Sequence, residues 1–366
     1  MSRKDILKLL ALGGVAASSG YAIREYAPFT DYNAQVARPR RLLQTGTDKA
    51  ETMKGIIRYA TLAANGHNAQ AWKFALHPNA IEIHPDLTRR LSAVDPDNRE
   101  LWISLGCALE NLLIASRAMG FTPTVRYPDT DDYIRVNLAV APPEQDELFN
   151  AIPLRQSTRT EYDKQTVSKI HLAQLEKVSL EPGIRMDMKL DGAGLKLLSE
   201  LVHQSTVSQY SDALFLKELV HWLRFDKKEA LNSFDGLYSK CTGNPGVPRW
   251  LGRFFVNGSK PEQLAEADVR KLKSSAGAII ISSSSEGRSD WVRSGQVYQR
   301  LALTMTSLNI KSAFLNQPIE VAPVRSELQT SLGLGDDRPQ MLLRFGYANL
   351  MPGSLRRPIE TLLLSS

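Results

Sequence analysis

Apolar and polar residues along the chain follow two spacings, which together predict an α+β protein. Between Trp72 and His84, apolar residues alternate with polar ones on either side of Pro78-Asn79, the pattern of a β-hairpin. At 99–119, apolar residues instead recur every three or four positions, as in an amphipathic helix. Before residue 141, the two spacings predict helices at 50–63 and 99–119 and strands at 72–76, 81–84, 121–127 and 133–140.

After a linker at 141–144, the chain again alternates between helical and strand spacings. We expect helices at 168–179, 193–224 and 290–309, and strands at 184–190, 276–284 and 340–347. Residues 225–262 fit neither half. They combine glycines with aromatic residues, among them Gly236, Gly243, Gly246, Gly252, Gly258, Phe234, Tyr238, Trp250, Phe254 and Phe255. An insertion of this composition is more typical of a functional cover than of a linker, so we expect a lid here.

Two of the expected helices match each other in sequence. Four pairs of residues lie at one offset of 189 positions: Trp102 with Trp291, Gly106 with Gly295, Leu112 with Leu301, and Gly120 with Asn309. A short strand-like run follows each helix, at 121–127 and 310–315. Chance similarity between two amphipathic helices is the alternative, but the shared Trp-x-x-x-Gly spacing and the matched stop favour a duplication. We therefore expect a first half at 50–143 and a second half at 144–362.

Length and composition exclude several classes of protein. The chain has 366 residues, of which 43% are hydrophobic and 23% charged, a balance that excludes disorder and a multi-span membrane protein. The net charge of +6 is spread along the chain, so we expect no nucleic-acid partner. Cys107 and Cys241 form no C-x-x-C pair, and no metal ligands are assigned.

The first 22 residues have the pattern of an export leader. Arg3, Lys4 and Lys8 precede the charge-free stretch Leu9–Ile23, whose 15 residues are too few for a membrane span but suit a signal peptide. Gly20-Tyr21-Ala22 then provides small residues for cleavage. Residues 2–8 resemble a twin-arginine leader in which lysine replaces the second arginine. We expect a periplasmic or otherwise exported protein; a cytoplasmic protein, or one anchored at the inner membrane by an uncleaved leader, is the alternative.

Three segments carry candidate chemistry. The first is Ala64-Asn65-Gly66-His67-Asn68-Ala69-Gln70-Ala71-Trp72, whose amides can donate and accept along the edge of a planar heteroaromatic ring. The second is Arg155-Gln156-Ser157-Thr158-Arg159-Thr160-Glu161-Tyr162, expected to lead into a helix, whose guanidiniums and hydroxyls form a donor set suited to phosphate. The third is Arg356-Arg357-Pro358, a second potential phosphate clamp.

Each of these segments also has a purely structural interpretation. Asn65-Gly66 is a turn signal in its own right. Ser157 or Thr158 could form a helix capping box with Glu161. The arginines near the C-terminus could simply be solvated. Taken one at a time, the segments favour the structural interpretation; taken together, they match one family.

The Arg155-x-Ser157-x-Arg159 run resembles the FMN-phosphate motif of the nitroreductase family, and residues 65–72 resemble its Asn-x-Gln-x-Trp flavin segment. The order of the two motifs resembles that of the fused, double-length Acg-type proteins. Further segments that match the family are 104–112, Asp290-Trp291, 317–320 and 339–344. The resemblance covers about residues 50 to 362.

This resemblance implies a fold of two tandem nitroreductase-like domains, each an antiparallel or mixed sheet flanked by helices, which form an intrachain pseudo-dimer. Ordinary nitroreductases build each FMN site from two subunits. Because this chain has one copy of each motif, in opposite halves, the resemblance implies one competent flavin site and one erased site. It implies that Arg155, Ser157, Arg159 and Arg356 hold the FMN phosphate; that Asn65, Gly66, Asn68 and Gln70 lie along the isoalloxazine or ribityl; and that Asn316 and Gln317 reach the ring near its N5/O4 side.

The function implied is that of an FMN-dependent oxidoreductase, which passes hydride from NAD(P)H through the flavin to a small-molecule acceptor. The flavin carries out that chemistry, so no general acid or base is assigned, and His67 is interpreted as a turn residue. A closed lid would instead make the chain a flavin-sequestering protein with little turnover. A flavin-free structural relic is a third interpretation. We expect a monomer that forms a pseudo-dimer within one chain, and a higher oligomer is left open.

Overall fold

The structure is a computed structural model that describes Glu25 and residues 30–43, 48–129 and 131–364. The predicted leader at 1–22 lies outside the described residues. Among the described helices, none combines the length and the apolar character needed to cross a bilayer.

The first half contains a four-stranded antiparallel sheet. Its elements are α1 (Thr30–Ala37), α2 (Lys49–Ala60), β1 (Trp72–His77), β2 (Ala80–Pro85), α3 (Arg99–Ala118), β3 (Phe121–Arg126) and β4 (Ile134–Val140). The strands lie in the order β1-β2-β4-β3. Trp72 pairs with Pro85 and His77 with Ala80, so the predicted hairpin is confirmed. Helix α3 is buried along nearly its whole length.

The second half begins with α4 (Glu147–Ala151), α5 (Lys169–Glu176), β5 (Ile184–Lys189), α6 (Gly192–Ser211), α7 (Ala213–Trp222), β6 (Leu223–Arg224), α8 (Lys227–Ser233), β7 (Leu237–Tyr238), α9 (Arg249–Asn257) and α10 (Pro261–Lys273). It continues with β8 (Gly277–Ser283), α11 (Arg288–Ser307), β9 (Lys311–Phe314), α12 (Gln317–Glu320), α13 (Ala322–Ser331) and β10 (Arg338–Gly346). The strands of its antiparallel sheet lie in the order β5-β8-β10-β9, which repeats the order of the first sheet. The α+β class with two tandem units is thereby confirmed.

Two expected helices differ from the structure. The helix predicted at 193–224 is two helices that meet at Asp212, because its carboxylate accepts a hydrogen bond from the Leu214 backbone N–H at 2.8 Å and begins α7 there. The segment after Arg155 leads into no helix, since residues 152–168 are non-helical and α5 begins after Ser168. The capping-box interpretation of Ser157 or Thr158 with Glu161 is therefore wrong.

The two helices of matching sequence, α3 and α11, pack directly against each other in one core shared by both halves. A Cβ atom added to Gly106 would lie 2.0 Å from the Val292 carbonyl oxygen, and one added to Gly295 would lie 2.0 Å from that of Ile103. Only glycine allows so close an approach of two backbones. The contact explains why both matching helices have a glycine at the same position of the repeat.

Two extended segments join the halves near the candidate site. After β10, the C-terminal tail (residues 347–364) crosses to the first sheet, where the Phe74 N–H donates to the Leu362 carbonyl at 2.9 Å. The segment at 152–168 runs beside β9, where the Thr158 N–H donates to the Ser312 carbonyl at 2.9 Å. These two paths bring Arg155 and Arg356 to the same loop of the first half.

Candidate functional site

That loop (residues 61–71) joins α2 to β1 and has an unusual backbone. His67, Asn68 and Gln70 all adopt positive φ, at 50°, 53° and 53°. Non-glycine residues in this region are uncommon and cost about 1–3 kcal/mol each when the surroundings force them. The Asn65 carboxamide stabilises the turn, because its Oδ1 accepts from the Gln70 N–H at 2.8 Å. A strained conformation held in this way is typical of a functional loop.

The side chains of Asn68 and Gln70 hold this loop in place. Asn68 Nδ2 donates to the Gly236 carbonyl at 3.0 Å, and Gln70 Nε2 donates to that of Phe234 at 2.9 Å. Gln70 Oε1 accepts from the Arg357 N–H at 2.8 Å. Both side chains are buried in contacts to the 225–262 segment and the C-terminal tail. Neither residue lines the cavity described below, and neither do Arg155, Ser157 and Arg356.

Arg155 and Arg356 meet behind the loop. Arg155 Nη2 and Arg356 Nη2 both donate to the Leu62 carbonyl, at 3.3 Å and 3.2 Å. Arg356 also donates to Asn68 Oδ1 and to the Ala63 carbonyl. Both side chains are more than nine-tenths buried, yet Arg155 Nε and Nη1 and Arg356 Nε are buried without a hydrogen-bond partner among the described residues. Buried donors of this kind indicate a missing acceptor.

The charge of this arginine pair is uncompensated. Within the described residues, no carboxylate forms an ion pair with Arg155, Arg159 or Arg356. Burial, and then the like charges of Arg40 and Arg155, hold the pKa of Arg356 well below its usual range. Burial also lowers the pKa of Arg159. Like charges brought together in a low dielectric are unfavourable unless an anion bridges them.

Ser157 lies beside the arginines in the non-helical segment. Its backbone forms an isolated parallel bridge with Ser312 of β9. The neighbouring Thr158 is fully buried, and its hydroxyl has no hydrogen-bond partner among the described residues. The Arg-x-Ser-x-Arg run is therefore fixed along the edge strand β9.

A cavity of about 580 Å³ opens between the halves. Its polar wall is formed by residues from both halves: Asn65, Gly66, His67, Glu100 and Ser104 from the first, and Arg159, Gln209, Asp268, Lys271, Asn316, Gln317, Glu320 and Arg344 from the second. Its apolar cover includes Phe225, Leu237, Val247, Phe255 and Val256 of the 225–262 segment. This volume lies within the roughly 300–1,000 Å³ of small-molecule sites.

Asn316 and Gln317 lie in this cavity at the end of β9, where the sequence places them. The Asn316 carboxamide donates to Glu100 Oε1 at 2.9 Å and accepts from the Leu342 N–H at 2.9 Å, so its orientation is fixed. Gln317 Nε2 donates to Asp268 at 2.9 Å, whereas its Oε1 is buried without a partner among the described residues. Gln317 thus keeps an acceptor for a ligand.

Several residues of the cavity are not identified by the sequence. Glu320 accepts from Gln209 Nε2 at 2.5 Å, and burial followed by the nearby charge of Glu100 raises its pKa well above the usual value. Arg344 is fully buried and lies 4.1 Å from the centre of the Tyr162 ring. Both residues lie in segments that resemble the family, 317–320 and 339–344, but helical and strand spacing explains a glutamate or an arginine equally well as a solvated residue, so neither is assigned to the site from sequence.

His67 also faces this cavity, and burial followed by the charge of Arg159 lowers its pKa to about 4. Its imidazole is therefore neutral near pH 7 and adds no charge to the arginines. In the part of the chain that the structure describes, no three His, Cys, Asp or Glu side chains gather in a way that could hold a metal ion. The cavity instead offers cationic donors from Arg159, Lys271 and Arg344, carboxamides from Asn65, Asn316 and Gln317, and apolar side chains of the 225–262 segment.

Comparison with known proteins gives relatives that match most of the chain. A protein of Mycobacterium tuberculosis H37Rv, named as an inferred NAD(P)H nitroreductase, is 25% identical over 339 residues, which is 87% of this chain and 92% of the relative. A second inferred NAD(P)H nitroreductase of that strain, acg, is 23% identical over 322 residues and covers 85% of this chain and 94% of its own. No protein-family profile matches. The resemblance to Acg-type nitroreductase-family proteins is confirmed.

Solved structures also align with part of the chain. The FMN-dependent nitroreductase NfnB of Mycobacterium smegmatis, solved in complex with NADPH, aligns over 56% of this chain and 88% of its own, at 12% identity and a TM-score of 0.37. A nitroreductase with bound FMN from Desulfitobacterium hafniense aligns over 61% of this chain and all of its own, at 11% identity and a TM-score of 0.37.

Proposed function

We propose that this chain, which resembles Acg-type nitroreductase-family proteins over most of its length, binds one FMN between its halves and passes hydride from NAD(P)H to a small acceptor. FMN is what two of the aligned structures contain or depend on, and NAD(P)H is the reductant in the names of the relatives. We also propose that the halves arose by duplication, which the common strand order and the offset of 189 residues support.

The observation that carries this proposal is the pair of buried arginines with unused donors. Arg155 Nε and Nη1 and Arg356 Nε have no partner among the described residues, and no described carboxylate neutralises them. A phosphate monoester supplies charge and several acceptor oxygens at once, so it satisfies both deficiencies. Gln317 Oε1 and the Asn65 side chain line the cavity together with Arg159, where they suit the polar edge of a flavin ring, whereas Arg155 and Arg356 lie behind the 61–71 loop.

The residues of the chain would bind and orient, while bound FMN would supply the two-electron chemistry. Arg155, Arg159 and Arg356 would hold the phosphate, and the rigid loop at 61–71 would define one wall of the ring site. Asn68 and Gln70 would position that loop without contacting the cofactor. The apolar cover from the 225–262 segment would exclude water from the reacting face.

The absorbance spectrum of the purified protein tests this proposal directly. We expect yellow protein that releases FMN on denaturation, and a chain freed of flavin should regain the colour when FMN is added. Protein that is colourless and binds no added FMN would contradict the proposal. It would favour a flavin-free relic instead.

The cover favours a second candidate, a flavin-sequestering protein. Six apolar residues of the 225–262 segment line the cavity, so we propose that this segment is a lid that limits access to the flavin. Anaerobic mixing with NADH or NADPH separates the two candidates. Loss of the oxidised flavin band supports the oxidoreductase, whereas persistent colour with tightly held FMN supports sequestration.

We also propose export of the chain, supported by the order of basic, apolar and small residues in 1–22. Fractionation of cells that express the full chain tests this. The shorter, cleaved product is expected in the exported fraction, and an uncleaved product confined to the cytoplasm would contradict export.

A further inference from the structure

The residues before α2 form an N-terminal arm (Glu25 and residues 30–43) that packs on the second half. Tyr32 is fully buried, and its hydroxyl donates to the Gly353 carbonyl at 2.9 Å. Glu25 is 2% exposed and accepts from the Tyr238 hydroxyl at 2.7 Å and the Lys227 N–H at 2.8 Å. The arm is therefore fixed to both the 225–262 segment and the C-terminal tail.

Arg40, in the turn that follows α1, extends from this arm to the C-terminal tail. Its Nη1 donates to the Val36 carbonyl at 2.7 Å, and its Nη2 donates to the Ser354 carbonyl at 3.2 Å. Ser354 precedes Arg356 by two residues, so Arg40 lies against the stretch of tail that presents Arg356. Arg58 donates to the Pro39 carbonyl at 2.7 Å, which holds the turn from its other side.

The guanidinium of Arg40, like those of Arg155 and Arg356, has no carboxylate partner among the described residues. Burial and then the charge of Arg155 lower the pKa of Arg40 to about 10, and Arg40 in turn lowers the pKa of Arg356. The hydrogen bonds of Arg40 Nη1 and Nη2 go to neutral carbonyls, which do not offset a positive charge.

We infer that Arg40 is a fourth guanidinium of the phosphate site, brought there by the N-terminal arm from outside both nitroreductase-like halves. The ligand of this site is a phosphate monoester dianion. Its identification as FMN rests on the proposed function. A phosphate monoester with second pKa near 6 carries a charge of about −1.5 to −2 at pH 7, which offsets part of the combined positive charge of Arg155, Arg356, Arg159 and Arg40. Retention of the cofactor then depends on the arm.

Arg40→Gln tests this inference, because it removes the charge and keeps a polar side chain. We expect the affinity for FMN to fall about tenfold to a hundredfold, as for loss of a hydrogen bond to a charged group. The affinity for riboflavin, which lacks the phosphate, should change less than about twofold, and Arg40→Lys should recover part of the loss. Arg38→Gln removes a charge from an exposed position in the same turn and should change neither affinity.

Equal losses for FMN and riboflavin in Arg40→Gln would show that Arg40 only braces the tail, and unchanged affinities would show no role; either result overturns the inference. Inorganic phosphate separates this outcome from failure of the proposed function. If the wild-type protein binds no FMN, the proposed function fails. Inorganic phosphate could then still raise the unfolding midpoint of the wild-type protein but not that of Arg40→Gln, and this result would support an anion site that includes Arg40 without the flavin. Phosphate without effect on wild type would then overturn both.

Discussion

Gly106 and Gly295 make the same contact in opposite directions. Gly106 lies against the Val292 carbonyl and Gly295 against that of Ile103, and an added Cβ would meet the oxygen at 2.0 Å in both cases. Ile103 and Val292 are separated by 189 residues, as the two glycines are. Exchanging the halves therefore leaves the contact unchanged, which is the property of a two-fold interface. This reciprocity supports the proposal that the chain is a pseudo-dimer.

Substitution of either glycine by alanine should destabilise the protein by a similar amount. The new methyl group would meet backbone atoms, which cannot rotate away as a side chain can, so we expect a loss of about 1–3 kcal/mol in the free energy of unfolding. Gly192→Ala is the matched control, because nothing lies within 4 Å of the added Cβ. It should be neutral or slightly stabilising. Denaturant unfolding measures all three, and a neutral Gly106→Ala would contradict the close packing.

Local pattern was enough to predict most elements of the fold. The hairpin at β1 and β2 and the helices α3 and α11 follow from spacing alone, because neighbouring residues determine them. The helix expected at 193–224 was wrong because Asp212 can either continue a helix on a solvated face or begin a new one. That choice depends on how α7 packs, which spacing does not record.

The candidate site was less predictable, because it depends on which segments cross. Arg155 and Arg356 could be named from their motifs, but their shared contact with Leu62 needs the path of the tail. Gln70 is expected along the flavin from its motif, but only the fold shows that its carboxamide bonds the 225–262 segment and the tail. Arg40 lies outside both matching halves, so no motif or repeat points to it.

Arg155→Met should separate cofactor binding from stability. The substitution removes a buried charge that has one hydrogen bond at 3.3 Å and two unused donors, so the flavin-free protein should unfold at the same temperature as wild type or higher. FMN at a hundred times its dissociation constant should stabilise wild type by about 2.7 kcal/mol and the variant far less. Thermal unfolding with and without FMN measures both effects.

Arg300→Met is the contrasting control for that experiment. Arg300 donates to Glu110 at 2.8 Å and 2.9 Å, and Glu110 is 1% exposed. Its removal leaves a buried carboxylate without its cationic partner, so we expect a loss of about 3–5 kcal/mol. A flavin-free Arg155→Met protein that is destabilised as strongly as Arg300→Met would contradict the idea that Arg155 awaits an anion.

Gln70→Met tests whether this residue positions the loop or contacts the cofactor. Loss of the carboxamide leaves the Phe234 carbonyl and the Arg357 N–H without partners, at about 1–3 kcal/mol each, so the flavin-free protein should be less stable. The exposed Gln165→Met should be neutral. Unchanged stability of the flavin-free protein combined with weaker FMN binding would instead indicate direct contact with the flavin.

Glu320 should make the stability of the protein depend on pH in a direction opposite to that of an ordinary ion-paired carboxylate. Burial and then the Glu100 charge raise its pKa above the ordinary 4.5, so above that pH the folded chain retains a proton that the unfolded chain releases. Stability therefore falls as the pH rises from 4.5 through the raised pKa, by at most about 1.4 kcal/mol per pH unit.

Glu320→Gln replaces the protonated acid by a neutral group of similar shape that can still accept from Gln209. Because glutamine does not titrate, the stability of the variant relative to wild type should increase as the pH rises above 4.5 and level off above the raised pKa. Denaturant unfolding from about pH 4 to pH 8 measures this difference. The exposed Glu327→Gln provides the reference for loss of an ordinary carboxylate. A difference that stays constant across this range would contradict a shifted Glu320.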